Sequence, residues 1–265
     1  MSSNISPREI LEHVEPAVRE SGDIILDNWS GAKSIRHKGR VDLVTETDLA
    51  VEKDLTAKLG RILPEAGFLA EETASGGNLG ESTWIVDPLD GTTNFAHGLP
   101  FVAVSVALWR DGEVVLGVVH IPQMGETFTA VKGEGARLNS HPIEVSPAAE
   151  LEDSLTATGF PYDIDTRAEE EVQRLKHVLV STRGIRRMGA AAVDLAYTAC
   201  GRFEAFFEAN LKPWDTAAGW LLVEEAGGRV TTFGNQSFHP FAGTVLASNG
   251  HIHDELSALL STSSA

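Results

Sequence analysis

The sequence predicts an α+β protein, because helical and strand-like patterns are separate in its first half and alternate in its second. Residues 10–18 and 51–62 place apolar side chains at helical spacing, whereas residues 102–131 alternate around glycine turns as antiparallel strands do. After residue 147, short strand-like segments alternate with helical ones, which is typical of an α/β unit. We therefore expect an N-terminal α+β half with an antiparallel sheet, residues 1–147, and a C-terminal α/β half, residues 148–265.

Two helices are predicted near the N-terminus. The segment Ser6–Glu9 reads S-P-R-E, a capping box with proline at the first helical position, so a helix should run from there to about Asn28. The polar, basic segment Lys33–Arg40 predicts a solvated loop. The segment V-D-L-V-T-E-T-D then opens a second helix, which ends by Pro64. Asp48 lies in the first turn of that helix, where a carboxylate favours the helix dipole.

Strands are predicted to follow these helices. Phe68–Ala70 is a short strand that ends at the paired acids Glu71 and Glu72, and Ser75–Ser82 predicts a surface loop. The pair Asp111-Gly112 indicates a hairpin turn, and further glycine turns complete an antiparallel meander.

The C-terminal half is predicted to alternate strands and helices. Strands are expected at residues 155–159, 203–207, 229–233 and 244–248, and helices at 168–180, in the small-residue segment ending at 201, at 215–226 and near the C-terminus. The one cysteine, Cys200, lies in an apolar helical segment and is expected to be a small core residue.

The stretch from Trp84 to Phe95, W-I-V-D-P-L-D-G-T-T-N-F, carries most of the chemistry. A buried strand should stop at Asp87, and Pro88 should set a tight bend that Asp87 and Asp90 flank, so that both carboxylates point at one spot. Gly91 permits close approach of the backbone, and the next three residues, T-T-N, offer capping groups for a helix start. The alternative is an Asx-rich turn with no chemical role. Taken together, the stretch predicts a place for cations and a phosphate.

Composition limits the class of protein. The net charge of −17 over 265 residues argues against binding to nucleic acids or anionic membranes. An acidic protein that binds a phosphate ester needs local positive charge, which bound metal ions would supply. No apolar run approaches the ~20 residues of a membrane span, and the N-terminus lacks the pattern of a signal peptide, so we expect a cytoplasmic protein.

Five motifs together carry a family resemblance. They are V-D-L-V-T-E-T-D, F-L-A-E-E, the stretch beginning at Trp84, R-R-M-G-A-A-A-V-D-L-A-Y, and L-K-P-W-D-T-A-A-G-W-L-L-V-E-E-A-G-G. In this order and spacing they resemble the inositol monophosphatase family of magnesium-dependent, lithium-sensitive phosphatases. One departure is Ala70, where relatives commonly have glycine. The resemblance implies a layered αβαβα sandwich, with the active site between the two halves, and a homodimer.

The resemblance also implies a role for each matching residue. The metal ligands would be the carboxylates of Glu71, Asp87, Asp90 and Asp215 and the main-chain carbonyl of Leu89. Asp48 and Thr92 would orient and help deprotonate the attacking water. The substrate would be bound by Asp90, Gly91, Thr92, Gly189, Ala191, Glu208 and Asp215, with the N–H groups of Gly91 and Thr92 holding phosphate oxygens. The cofactor would be Mg²⁺, about two or three ions per active site.

The residue types independently suit this chemistry. Converging carboxylates repel one another and have raised pKa values unless cations lie among them. Ligands that are all oxygen favour Mg²⁺ over Zn²⁺. The motifs show no basic cluster for a phosphate and no Ser or Cys framed by a base, so direct attack by water is the simplest mechanism.

Several functions fit these features. The expected activity is hydrolysis of a small phosphomonoester, first of all myo-inositol 1-phosphate. Alternatives are another phosphatase of the same superfamily, acting on fructose 1,6-bisphosphate, histidinol phosphate or a 3′-phosphoadenylate, or a regulatory binding protein that retains the metal site. The presence of every carboxylate of the motifs favours an enzyme.

Overall fold

Five layers, alternately helical and sheet, make up the protein. The computed structural model describes residues 5–31, 35–37, 43–73, 79–161 and 163–261. The α-helices there are α1 (Pro7–Asp27), α2 (Glu46–Ile62), α3 (Thr92–His97), α4 (Ile164–Ser181), α5 (Ala191–Ala199), α6 (Pro213–Glu225) and α7 (His253–Ser261). The strands of the first half are β1 (Ile35–His37), β2 (Leu43–Thr45), β3 (Gly67–Ala70), β4 (Ser82–Asp90), β5 (Ala103–Arg110), β6 (Glu113–Ile121), β7 (Glu126–Val131), β8 (Ala136–Leu138) and β9 (His141–Ile143). Those of the second half are β10 (Leu155–Thr158), β11 (Gly184–Arg186), β12 (Ala205–Ala209), β13 (Arg229–Thr231) and β14 (Thr244–Ser248).

The first sheet has seven strands in the order β3-β4-β5-β6-β7-β8-β9. Its pairs are antiparallel except β3 with β4, as the predicted meander requires. Helices α1 and α2 cover one face and α6 covers the other. Along β5, Val104 and Val106 therefore pack under α1 and α2, whereas Ala103 and Ala107 belong to the central core. Burial on both faces explains why the strand is apolar almost throughout.

The second sheet has five strands in the order β11-β10-β12-β14-β13. Strands β11, β10 and β12 are parallel, and β14 runs antiparallel to both β12 and β13. Helices α5 and α6 pack between the two sheets, while α4 and α7 pack together on the far face of the second sheet. The order of layers is therefore α1/α2, first sheet, α5/α6, second sheet, α4/α7, which confirms the layered α+β sandwich.

Local signals in the sequence identified most elements. The capping box of Ser6 with Glu9 opens α1, and the hairpin between β5 and β6 turns at Asp111, whose φ is 53°. The central core joins residues of both sheets through α5 and α6. The division of the chain at residue 147 stays a prediction. Within the described residues, no helix is both long and apolar enough to cross a lipid bilayer.

Some predicted boundaries were wrong. Residues 35–37 were expected in a loop, but they form a strand that pairs with β2. The other residues of the predicted loop Lys33–Arg40 lie outside the described residues. Of the expected loop Ser75–Ser82, residues 75–78 are outside the description and Ser82 already begins β4. Helix α4 starts at Ile164 rather than 168, and β11 was not predicted. A strand of three residues is too short to show alternation, so only its pairing with β10 identifies it.

Candidate active site

One cavity, of about 350 Å³, gathers the residues that the motifs singled out. It opens where β4, β10 and β12 end and where α3, α5 and α6 begin. The predicted site residues that line it are Glu71, Asp87, Leu89, Asp90, Gly91, Thr92, Gly189, Ala191, Glu208 and Asp215. Asp48 is the exception, since it lies behind Thr92 and is fully buried. The sequence motifs, spread over most of the chain, thus meet at one place.

A β-bulge brings Asp87 and Asp90 to the same side of β4. The strand was predicted to stop at Asp87 in a turn, but it continues to Asp90. Asp87 pairs with Ser105 and Asp90 with Ala103, so three steps along β4 match two along β5. Residues three apart in a regular strand point to opposite faces, and the one extra residue cancels that difference. A bulge rather than a turn therefore lets both carboxylates reach the cavity.

Several carboxyl groups are gathered around Asp87. This side chain is only 2% exposed, and its pKa is raised well above the ordinary value by burial and then by the charges of Glu71, Asp90 and Asp215. The Glu71 carboxyl group is close enough to share a hydrogen bond with Asp87. A second bond comes from the N–H of Leu89, which donates to Asp87 Oδ1 at 3.0 Å. Such a group of carboxylates is most stable with cations among them.

Asp90 links this group to α5. Its Oδ2 accepts a hydrogen bond of 2.7 Å from the N–H of Ala192 in the first turn of α5. Burial nevertheless raises the pKa of Asp90 to about 7, because it outweighs the stabilisation that the Ala192 N–H gives the charged form. Among the described residues, no three His, Cys, Asp or Glu side chains surround a single point as in a preformed metal site.

Thr92 and Asp48 form a pair at the edge of the cavity. The Thr92 hydroxyl lies 2.9 Å from Asp48 Oδ1 and 3.1 Å from the carbonyl oxygen of Leu89, and its one proton can be donated to either. Asp48 Oδ2 accepts from the N–H of Thr45 at 2.9 Å and from the Thr45 hydroxyl. Burial raises the pKa of Asp48 in spite of the Thr45 hydrogen bonds. The carboxylate is thus held in place and favours accepting a proton.

The predicted capping of α3 was wrong. Its N-cap is Gly91, in a left-handed conformation with φ 85°, and no side chain caps the helix. A Cβ at this position would lie 2.8 Å from the Phe101 carbonyl oxygen, so glycine is needed for packing as well as for φ. Asn94, expected to cap, instead donates through Nδ2 to the carbonyls of Phe101 and Met188, at 2.7 and 2.8 Å. Asn94 thereby joins α3 to the turn that precedes α5.

The far side of the cavity carries Glu208 and Asp215. Asp215 is the third residue of α6, and its Oδ2 accepts from the N–H of Lys212 at 2.7 Å, so it caps the helix while lining the cavity. Glu208 is the fourth residue of β12 and is 9% exposed. Burial and then the charge of Asp215 raise the pKa of Glu208 to about 8, against an opposing effect of Arg187.

The sequence singled out neither Arg187, which lines the cavity, nor Asp194, a buried carboxylate near Glu208 and Asp90. Among the described residues, Arg187 is the one cation that lines the cavity, with its guanidinium carbon 5.8 Å from the centre of the Phe160 ring. The motif R-R-M-G contains it, but nothing in the motif shows which arginine reaches the cavity. Asp194, on α5, has a pKa raised well above the ordinary value by burial and then by the charges of Glu208 and Asp90. Within the described part of the chain its Oδ1 has no hydrogen-bond partner.

Known proteins share both this sequence and this fold. The profile of the "Inositol monophosphatase family" matches residues 6–265. Inositol monophosphatase 3 of Solanum lycopersicum is 41% identical over 260 residues, covering 96% of this chain and 97% of that protein. The fructose-1,6-bisphosphatase/inositol-1-monophosphatase of Thermotoga maritima is 38% identical over 240 residues, covering 90% and 91%. The structure of the extragenic suppressor protein suhB from Bartonella henselae superposes with a TM-score of 0.90 at 38% identity, covering 95% of this chain and 98% of that one.

These matches extend over nearly the whole chain, and the residues in them include every motif that meets at the cavity. The likeness is one of fold as well as of sequence, because the superposed structure covers the layers on both sides of the cavity. The chain therefore belongs to the inositol monophosphatase family.

Proposed function

We propose that this protein is a Mg²⁺-dependent phosphomonoester hydrolase that acts on myo-inositol 1-phosphate by direct attack of water. The observation that carries the proposal is the group of carboxylates around the buried Asp87, which faces the same cavity as Thr92, the partner of Asp48. Membership of the inositol monophosphatase family supports the same activity.

The donor set fits magnesium. Glu71, Asp87, Asp90 and Asp215 would hold the ions together with the carbonyl oxygen of Leu89, and all of these ligands are oxygen atoms. The raised pKa of Asp87 is independent support, because a cation among these carboxylates would relieve their repulsion. When bound, Mg²⁺ neutralises phosphate charge and lowers the pKa of a coordinated water. About two or three ions per site is part of the proposal, and so is inhibition by lithium through competition at one of them.

The chain's own residues then have separate tasks. The Thr92 hydroxyl, while donating to Asp48, accepts a hydrogen bond from the attacking water and so orients it. As the water gives a proton to the Thr92 hydroxyl, that hydroxyl passes its own proton to Asp48, whose burial favours the protonated form. The N–H groups of Gly91 and Thr92 hold phosphate oxygens, while Gly189, Ala191 and Glu208 contact the alcohol part of the substrate. Asp90 and Asp215 lie beside both the phosphate and the alcohol part of the substrate.

A second candidate substrate is a sugar bisphosphate. Arg187 favours it, because an exposed guanidinium at the rim of the cavity suits a second phosphate group. The Thermotoga maritima relative carries both activities in its name.

A homodimer and a cytoplasmic location complete the proposal; they rest on the family resemblance and on composition.

The test is a substrate panel with released phosphate as the readout, in the presence of Mg²⁺ and after removal of metal by a chelator. We expect metal-dependent turnover that is highest for myo-inositol 1-phosphate. Absence of turnover with every ester, despite a folded protein, would favour the alternative of a regulatory binding protein. A preference for histidinol phosphate or a 3′-phosphoadenylate would keep the mechanism and replace the substrate.

A further inference from the structure

Gly159 and Glu208 face each other on neighbouring strands. Strands β10 and β12 are parallel, and Thr158 pairs with Phe207, so Gly159 and Glu208 are next in register. Side chains of residues that pair in register leave a sheet on the same face. A Cβ placed on Gly159 would lie 2.0 Å from Glu208 Oε2 and 2.3 Å from Oε1 and Cδ. The carboxylate therefore occupies the space that a side chain at residue 159 would fill.

The backbone does not explain this glycine. Gly91 and Gly189 have φ values of 85° and 84°, which strongly favour glycine, whereas the φ of Gly159 lies outside the left-handed region. An alanine could therefore adopt the same backbone conformation. The three atoms nearest to a methyl group there would all belong to the Glu208 carboxylate, the movable end of a side chain, so that carboxylate would be displaced.

Packing, rather than hydrogen bonding, determines where the Glu208 carboxylate lies. The side chain is 9% exposed and lines the cavity. Within the described residues, its oxygens accept no hydrogen bond from the protein. Because the carboxylate faces the cavity, its donors must come from water or from a ligand. Adjacent hydroxyl groups of a polyol are suitable donors, because a carboxylate accepts through both oxygens.

We propose that Gly159 is a positioning residue for substrate specificity, whose missing side chain lets the Glu208 carboxylate lie where it binds the hydroxyl groups of a polyol phosphate. This inference rests on the proposed phosphatase activity. It extends that activity by assigning recognition of the alcohol to a pair of residues, one of which never touches the substrate. The phosphate is bound elsewhere, so an aryl phosphate without hydroxyl groups should not depend on the pair.

The first test measures kcat/KM for Gly159→Ala, Glu208→Ala and the double variant on myo-inositol 1-phosphate and on p-nitrophenyl phosphate. Loss of hydrogen bonds to a charged group should lower kcat/KM of each single variant roughly 10–150-fold on the inositol ester, with little change on the aryl ester. The double variant should be no worse than Glu208→Ala, because the alanine then meets no carboxylate. Equal losses on both esters, or additive losses, would overturn the proposal.

The second test measures thermal unfolding of the same four proteins and does not depend on activity. Gly159→Ala should change Tm more in the parent than in the Glu208→Ala background. The matched control is Gly184→Ala on β11, where a Cβ would be 3.7 Å from the nearest atom, an ordinary contact. In this variant Tm and kcat/KM for both esters should be unchanged. If the parent hydrolyses no ester, the proposed function fails, while the Tm coupling still reports on the Gly159–Glu208 contact. Equal Tm changes in the two backgrounds would overturn that contact.

Discussion

The Thr92 hydroxyl lies 2.9 Å from Oδ1 of Asp48, a residue 44 positions earlier in the chain. The other oxygen of Asp48 accepts the N–H of Thr45, which caps α2. One carboxylate therefore stabilises the start of a helix and also holds the hydroxyl that faces the cavity. This double use explains why Asp48 is fully buried.

Thr92→Ala and Asp48→Asn should slow the chemical step, since both remove part of the water-orienting pair. General-base assistance is typically worth ~10²–10⁴-fold, so we expect a decrease in kcat of that order with phosphate and metal binding retained. The measurements are steady-state kinetics and calorimetric titration of phosphate with Mg²⁺. Thr166→Ala, at an exposed position that does not line the cavity, is the control and should leave kcat unchanged. Full activity of both variants would assign water activation to other residues.

Asp90→Asn should abolish most activity without unfolding the protein. The amide oxygen can still accept the N–H of Ala192, so the contact between β4 and α5 survives, but the charge that would bind metal is lost. We expect kcat to fall by several orders of magnitude, with circular dichroism unchanged. Asp111→Asn, in the exposed β5–β6 hairpin, provides the matched loss of charge far from the cavity. Undiminished turnover in Asp90→Asn, or in enzyme stripped by a chelator, would contradict the metal-dependent mechanism.

Arg187→Ala should affect bisphosphates selectively. If its guanidinium binds a second phosphate, kcat/KM for fructose 1,6-bisphosphate should fall roughly 10–150-fold, while p-nitrophenyl phosphate is little affected. Raising the ionic strength should reduce the difference, because the group is exposed. Arg186→Ala is the control, as Arg186 is exposed and does not line the cavity. Equal losses on the two esters would contradict recognition of a second phosphate group by Arg187.

His253 should make stability depend on pH. The ring is fully buried, its nitrogens lie 2.8 Å from Thr231 Oγ1 and 2.7 Å from Ser248 Oγ, and burial followed by the charge of Arg229 lowers its pKa to about 4. The unfolded chain, with a histidine pKa near 6.5, binds more protons between pH 6.5 and 4. The free energy of unfolding should therefore decrease as pH falls through that window.

The contribution of His253 is isolated by comparing urea unfolding of the parent and of His253→Gln at pH 7 and pH 4.5. We expect the difference in unfolding free energy between the two proteins to shrink toward pH 4.5. The exposed His251→Gln should follow the parent at both values. Parallel curves for the parent and His253→Gln would contradict a lowered pKa.

Features that depend on near neighbours in the chain were predictable. The capping box at Ser6, the hairpin turn at Asp111 and the strand ending before Glu71 each need only a few consecutive residues. The oxygen-only donor set is a matter of residue types, so the metal class could also be proposed from sequence. Where the residues of the motifs would meet came from the family resemblance and not from these local signals.

Tertiary structure decided how the side chains converge. The bulge that turns Asp87 and Asp90 to one side depends on the register of β4 against β5, and the place of the Glu208 carboxylate depends on β12 lying beside Gly159. Asn94 could be recognised as a link between α3 and the turn before α5 only when both were in place. The sequence by itself determined the local elements and the chemical types of the site, because capping, turn and donor preferences act over a few residues. Register and layer packing determined its geometry, because they depend on contacts between segments distant in the chain.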